Sequence, residues 1–150
     1  MAVRVQTVDF DVGAELTAFT AGRTDIGAVV TFTGLVRGEA NGRELRCMTL
    51  EHYPGMTEME LQRIDAEAHR RWPLQSSLIV HRIGTLHPGD NIVLVMAASP
   101  HRLVAFEAAA FLMDYLKSKA PFWKKEVAVD GTGSWVDARD SDADALDRWS

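Results

Sequence analysis

Ile92-Val-Leu-Val-Met-Ala-Ala-Ser-Pro-His-Arg-Leu103 decides the fold. Ile92 to Ala98 is an unbroken apolar, β-branched run and reads as a strand. Ser99 then caps a helix, with Pro100 at the first helical position, where a missing N–H costs nothing. The helix is predicted from Pro100 to about Lys119 and carries Leu103, Val104, Phe106, Phe111, Leu112, Met113 and Leu116. Ala108-Ala109-Ala110 fills much of the rest, so the helix is apolar around most of its circumference. It is therefore expected to be buried on more than one side, a subunit interface included.

Upstream, Leu78 to Leu86 reads as the partner strand of a hairpin. Between the two strands, His87-Pro88-Gly89-Asp90 places proline and glycine at the central positions of a type II turn. Val3–Val8 is a first strand, and Asp11 caps a helix to about Ala21 that Gly22 ends. Ile26–Val36 is apolar on both faces and reads as a covered central strand. Gly38-Glu39-Ala40-Asn41-Gly42-Arg43 reads as a mobile loop, and Leu45–Tyr53 as another strand. After Pro54-Gly55, Thr57-x-x-Glu60 has the pattern of a capping box, opening a helix to about Trp72 with Leu61, Ile64 and Ala68 on one stripe. Downstream of Pro121, strands are predicted near Trp123–Val129 and Ser134–Ala138 about a Gly131-Thr132-Gly133 turn, with Ser141 capping a final helix. Strands and helices mix without a strict βαβ repeat, so the class is α+β.

The 150 residues, 47% hydrophobic and 25% charged, make one globular domain, 1–150. The lone Cys47 excludes a disulfide scaffold and is expected to be buried and inert. No run approaches the ~20 apolar residues of a membrane span. A net charge of -5 disfavours nucleic acid. The expected location is cytoplasmic, with no nucleic-acid or membrane partner.

The lysines are unevenly placed. Lys117, Lys119, Lys124 and Lys125 are the only four, all in one segment, while the twelve arginines are spread from Arg4 to Arg148. That segment is either a local anion site or a solvated helix end. Lys117 and Lys124 straddle Ala120-Pro121, and neighbouring ammonium groups depress each other's pKa, which suits acid–base work. His101 and Arg102 sit in the first helical turn after Ser99-Pro100, where free N–H groups favour an anion. Their positive charges oppose the helix dipole, the kind of local inconsistency expected at a functional site. Arg37 closes a strand before a glycine loop, and Arg139 ends Trp135-Val136-Asp137-Ala138-Arg139. No nucleophile elbow, phosphate loop or metal-ligand spacing is present, and no metal or cofactor is expected.

These segments together resemble the large, catalytic subunit family of molybdopterin synthase. The resemblance rests on Gly27-Ala-Val-Val-Thr-Phe-Thr-Gly34 with Val36-Arg37, Leu50-Glu-His-Tyr-Pro-Gly-Met-Thr57, His81-Arg-Ile-Gly84 and Pro88-Gly-Asp90. It extends through Ser99, His101-Arg102, Ala105-Phe106-Glu107, Met113-Asp-Tyr-Leu-Lys117, Ala120-Pro-Phe-Trp-Lys124 and Trp135-Val136 with Ala138-Arg139. It implies an α/β-hammerhead-like fold with a mixed or antiparallel sheet and packed helices. It implies a sulfurtransferase that converts cyclic pyranopterin monophosphate to molybdopterin, in molybdenum cofactor biosynthesis. The sulfur donor implied is the C-terminal Gly-Gly thiocarboxylate of a small ubiquitin-like subunit. The implied assembly is a heterotetramer around a central homodimer. Lys117 and Lys124 match the family's catalytic lysines, and Arg37, His101, Arg102 and Arg139 its basic substrate pocket. Leu35 and Pro100 depart from common family residues. Two other classes share the basic cluster: a non-catalytic phosphate-ligand or interaction module, and a phosphate-ester hydrolase with His101 as acid or base.

Overall fold

In the computed structural model, which describes residues 2–136 and 140–150, the apolar run at Ile92 is the central strand of the molecule. In chain order the elements are β1 (Ala2–Gln6), α1 (Val12–Thr20), β2 (Ala28–Leu35), β3 (Glu39–Ala40), β4 (Arg43–His52), α2 (Met56–Arg71) and β5 (Ser76–Arg82). They continue with β6 (Gly84–Leu86), β7 (Asn91–Ser99), α3 (Arg102–Ser118), β8 (Phe122–Ala128), β9 (Gly133–Val136) and α4 (Asp140–Asp147). The first sheet runs β1-β5-β7-β2, with β1 parallel to β5 and the other pairs antiparallel. The second runs β3-β4-β8-β9, with β6 also paired to β4. This is the α+β, mixed-sheet architecture expected.

Both faces of β7 are covered, which is why its sequence is apolar without alternation. Leu94 and Met96 pack with Phe10, Leu78 and Val80 beneath α1. Val93 and Val95 face the other way, into a core with Leu61, Ile64 and Ala68 of α2 and Leu112 and Leu116 of α3. Val36, Met48, Leu50 and Leu86 belong to that same core, so the second sheet closes one end of it.

Several local expectations are corrected. The strand expected from Leu78 to Leu86 breaks at Gly84, whose φ is +90°, and β6 crosses to pair with β4. Strand β2 lies at the sheet edge, not its centre: α3 packs on it, but β7 is its only strand neighbour among the described residues. Residues 38–43 form a tight hairpin, not a mobile loop. Asn41 and Gly42 both take positive φ, 54° and 74°, the requirement of a two-residue turn that matches strand twist. At α2 the capping contact sits two residues earlier than Thr57–Glu60: Gly55 is the N-cap, and the Glu58 carboxylate accepts from its N–H at 2.7 Å. Ser141 lies inside α4 instead of capping it, and Cys47 is half-buried rather than buried.

Helix α3 begins two residues later than expected. Ser99 is the last residue of β7, paired with Ala28, and so is held in the sheet. Its hydroxyl accepts from the His101 N–H at 3.1 Å and donates to the His101 carbonyl. His101 becomes the N-cap and Arg102 the first helical residue. Gly27 permits this: a Cβ there would lie 1.8 Å from the Pro100 carbonyl oxygen.

Candidate functional site

Alternation along β8 sorts its side chains. Trp123 and Lys125 are exposed on one face, and Lys125 Nζ lies 6.0 Å from the Trp135 ring centre. Phe122 and Lys124 turn inward on the other. The register with β4 sets Phe122 opposite His52 and Lys124 opposite Leu50. The lysine segment therefore divides, and only Lys117 and Lys124 converge. Helix α3 ends as the Lys119 and Ala120 N–H groups both reach the Tyr115 carbonyl, and the chain reverses through Pro121. Thr57 holds that reversal: its hydroxyl accepts from Tyr53 N–H at 2.9 Å and donates to the Pro121 carbonyl at 3.1 Å.

Burial is the main reason the Lys124 pKa is pushed down to about 8, and the adjacent Lys117 ammonium adds to the shift. Asp142 and Glu126 oppose it. The shift makes a stability prediction. An unfolded lysine titrates near its ordinary 10.5, so between pH 8 and 10.5 the unfolded chain binds more protons and stability from this group rises with pH. Below pH 8 the penalty is fully present. Lys124→Met is therefore expected to exceed the parent in stability at pH 7 by up to about 3 kcal/mol. The gap should close as pH rises through 8 to 10; urea unfolding across that range checks it, and a pH-independent gap refutes it.

His81, at the end of β5, was not singled out by the sequence reading. It is buried, its ring stacked on Phe122 at 3.8 Å between centroids and 15° between planes. Its Nδ1 lies 2.8 Å from the Arg82 carbonyl. Burial pushes its pKa down to about 4; the hydrogen bond to the Arg82 carbonyl opposes this, and the Lys124 and Lys117 ammonium groups push the same way as burial. The signal was a histidine inside an otherwise apolar strand, Leu78-Ile-Val-His81. His52 also borders the site, its Nε2 3.6 Å from Glu58.

The arginines and His101 do not all join this cluster within one chain. Arg37 is exposed just beyond β2, where the Val36 N–H and carbonyl bond to Asp90 and Gly89. Strands β5 and β7 are antiparallel, with His81 opposite Val93, and β2 meets β7 with Leu35 opposite Asn91. Helix α3 returns from Ser99 along β7 toward that same end. Arg37, His81, Lys117 and Lys124 thus gather at one end of the sheet. His101 and Arg102 stand at the other, separated from Lys117 by the length of α3, about 22 Å for fifteen residues at 1.5 Å each. There they line an open hollow with Gly27, Ala28, Pro100 and Leu103. Arg139 lies outside the described residues.

No helix among the described residues is long and apolar enough to cross a membrane. The profile of the MoaE protein family matches residues 5–119. The molybdopterin synthase catalytic subunit of Mesorhizobium japonicum is 60% identical over 148 residues, covering 98% of this chain and 92% of that protein. The solved molybdopterin biosynthesis MoaE protein of Burkholderia ambifaria superposes with a TM-score of 0.84 at 52% identity, covering 99% and 98% of the two chains. The crystal structure of molybdopterin synthase from Staphylococcus aureus gives 0.82 at 32% identity, over 89% and 96%. With the profile covering α1 through the whole of α3 and a 60% identical relative matched along nearly the full chain, the chain belongs to the MoaE protein family.

Proposed function

We infer that this chain, as one domain, is the sulfur-transferring catalytic subunit of a molybdopterin synthase, acting in molybdenum cofactor biosynthesis. Its substrate is cyclic pyranopterin monophosphate. Its sulfur comes from the C-terminal thiocarboxylate of a small ubiquitin-like partner. The observation that carries the site assignment is the convergence of Lys117 with the half-buried Lys124 on the inward face of β8. A phosphate-bearing substrate and an anionic donor must be held together while the donor sulfur attacks. Fixed cations do this by charge and position, without a protein nucleophile. The Lys124 ammonium, its pKa lowered to about 8, suits proton transfer as well as charge stabilisation. We place the reaction in the cytoplasm, where reducing conditions suit a thiocarboxylate and the free Cys47 thiol.

Arg37, His101, Arg102 and Arg139 are assigned to the substrate, with His101 and Arg102 serving the site of a second copy. Two features support this division. His101 and Arg102 are too far from Lys117 to share one small substrate within a chain. Beside them on α3, Leu103 and Phe106 are 65% and 60% exposed, an apolar surface suited to a self-complementary contact. A two-fold axis crossing the middle of α3 and β2 sets the His101 end of each copy against the Lys117 end of the other.

Mixing tests it. Arg102→Ala and Lys117→Ala homodimers are each expected to be nearly inactive, with Arg102→Ala weakening substrate binding more than small-subunit binding. Subunit exchange between them creates mixed dimers with one intact site each and restores about a quarter of parental activity. No recovery, with exchange verified by mass, refutes the shared site. Phosphate release without a sulfur donor would favour a hydrolase instead, and ligand retention without dithiolene product a binding module.

A further inference from the structure

We propose that His52 is the general base that frees the transferred sulfur, held in place by the Glu58 carboxylate on the face of β4 that borders Lys124. The proposal rests on the lysine pair being the reaction centre. Strand register sets the juxtaposition. In the antiparallel pairing of β4 with β8, His52 stands opposite Phe122 and Leu50 opposite Lys124. Alternate side chains share a face, so His52, Leu50 and Met48 of β4 line the same face as Phe122, Lys124 and Glu126 of β8. That face is the inward one, since Leu50 and Met48 are both buried. His52 and Lys124 are thus diagonal neighbours across the two strands, with β-carbons about 7 Å apart. His52 is the last residue of β4 and its side chain keeps 19% exposure, so water reaches it.

Behind His52, the first turn of α2 supplies a carboxylate. Glu58 Oε2 accepts from the Gly55 N–H at 2.7 Å, and Oε1 lies 3.6 Å from His52 Nε2. That Oε1 is buried and has no hydrogen-bond partner among the described residues. At 3.6 Å the contact is longer than a hydrogen bond, and such contacts tighten once substrate is bound. The turn between the two residues is pinned. The Thr57 N–H bonds the Tyr53 carbonyl, and the Thr57 hydroxyl bonds both the Tyr53 N–H and the Pro121 carbonyl. With Nε2–H directed at Glu58, the lone pair is on Nδ1. A base oriented by a third group is the arrangement that proton abstraction requires. The chemistry needs one. Sulfur passed from a thiocarboxylate to a substrate carbon is at first shared by two carbons, the partner's acyl carbon and the substrate's, and water must release it. As the water oxygen adds to the acyl carbon, His52 Nδ1 takes a water proton and the lysine pair holds the oxyanion. The acyl C–S bond then breaks and its electron pair stays on sulfur as a thiolate. The partner leaves with a carboxyl group, and the proton passes from His52 to solvent.

The test uses the full chain with its thiocarboxylated partner and the pyranopterin substrate. His52→Ala is expected to lower kcat about a hundredfold or more, the scale for losing a general base, with little change in KM. A covalent partner–substrate adduct joined through sulfur should accumulate, visible by intact mass. Free imidazole should clear the adduct and restore turnover, with substituted imidazoles following their basicity. Glu58→Gln should lower kcat by a smaller factor and add nothing in the His52→Ala background. Near-normal turnover in His52→Ala, a loss without the adduct, or a loss that imidazole does not rescue overturns the proposal. A further loss from Glu58→Gln in that background overturns the part given to Glu58. If His52→Ala does not fold, His52→Gln decides, since glutamine fills the space without a base: the adduct is expected, and product at the parental rate overturns the proposal. Full activity in Lys117→Ala would instead sink the site reading, and the adduct in the His52 variant distinguishes that failure from this one.

Discussion

Lys117→Ala is expected to reduce molybdopterin formation by about 10²-fold or more, the scale for removing one preorganised contact to a developing oxyanion. The side chain is exposed in the last turn of α3. Its loss costs the fold little beyond a helix-dipole contribution of about 0.3–1 kcal/mol. Two consequences separate this from general damage. Lys117 is one of the causes depressing the Lys124 pKa, so its removal lets Lys124 titrate at higher pH and moves the pH–rate profile in the same direction. Thermal unfolding should be nearly unchanged. Product quantified by mass spectrometry, with a melting curve on the same sample, checks both. Near-normal turnover would remove Lys117 from the mechanism.

Adding one residue beyond the partner's final glycine is expected to abolish sulfur transfer while the two proteins still associate. The donor is a terminal thiocarboxylate, so an added residue turns the glycine carboxyl into an amide that carries no transferable sulfur and moves the terminal charge one residue further on. The geometry around Lys124 compounds this. Lys124 is half-buried beside Lys117, with His52 and the stacked His81 and Phe122 nearby. Only a slender, extended chain reaches such a place, and a tail without side chains must be held by backbone hydrogen bonds and charge. Association should survive because a standard interface buries on the order of 1,600 Å² and a tail is a small part of it. Gel filtration reports the complex and mass spectrometry the product; undiminished transfer would show that the terminus is not the donor.

Much of this was legible from local chemistry. Asp11 caps α1 through the Ala14 N–H at 2.9 Å, Gly22 takes the positive φ that ends it, and the Pro88-Gly89 turn forms as its residues require, with Asp90 N–H on the His87 carbonyl. The meeting of Lys117 and Lys124 followed from a helix broken by Pro121. Partition of strands between sheets was not legible, because Gly84 redirects the chain only relative to β4, a partner more than thirty residues earlier. The apolar faces of β2 suggested a central strand; one of them is instead explained by α3 packing on it, while β2 itself is an edge strand paired with β7. The Asn41-Gly42 turn is legible in its dipeptide chemistry, which the polarity of the flanking residues masks as a mobile loop. The division of the basic residues between two ends was hidden for a different reason. His101 and Lys117 lie on one helix and were grouped by their charge, and only the direction of α3 along β7 shows them to be apart.

That separation makes α3 a spacer. A single inserted residue would turn everything beyond it by about 100° and advance it by 1.5 Å, taking Lys117 off the face where Lys124 waits. Inserting a whole turn would restore the face but lengthen the helix by about 5.4 Å and shift one end against the other copy. Substitutions on the solvent side carry neither penalty. On the proposed shared-site reading, the solvent-facing positions of this helix are free to vary while its length is not, and one insertion would disturb both sites of a dimer at once.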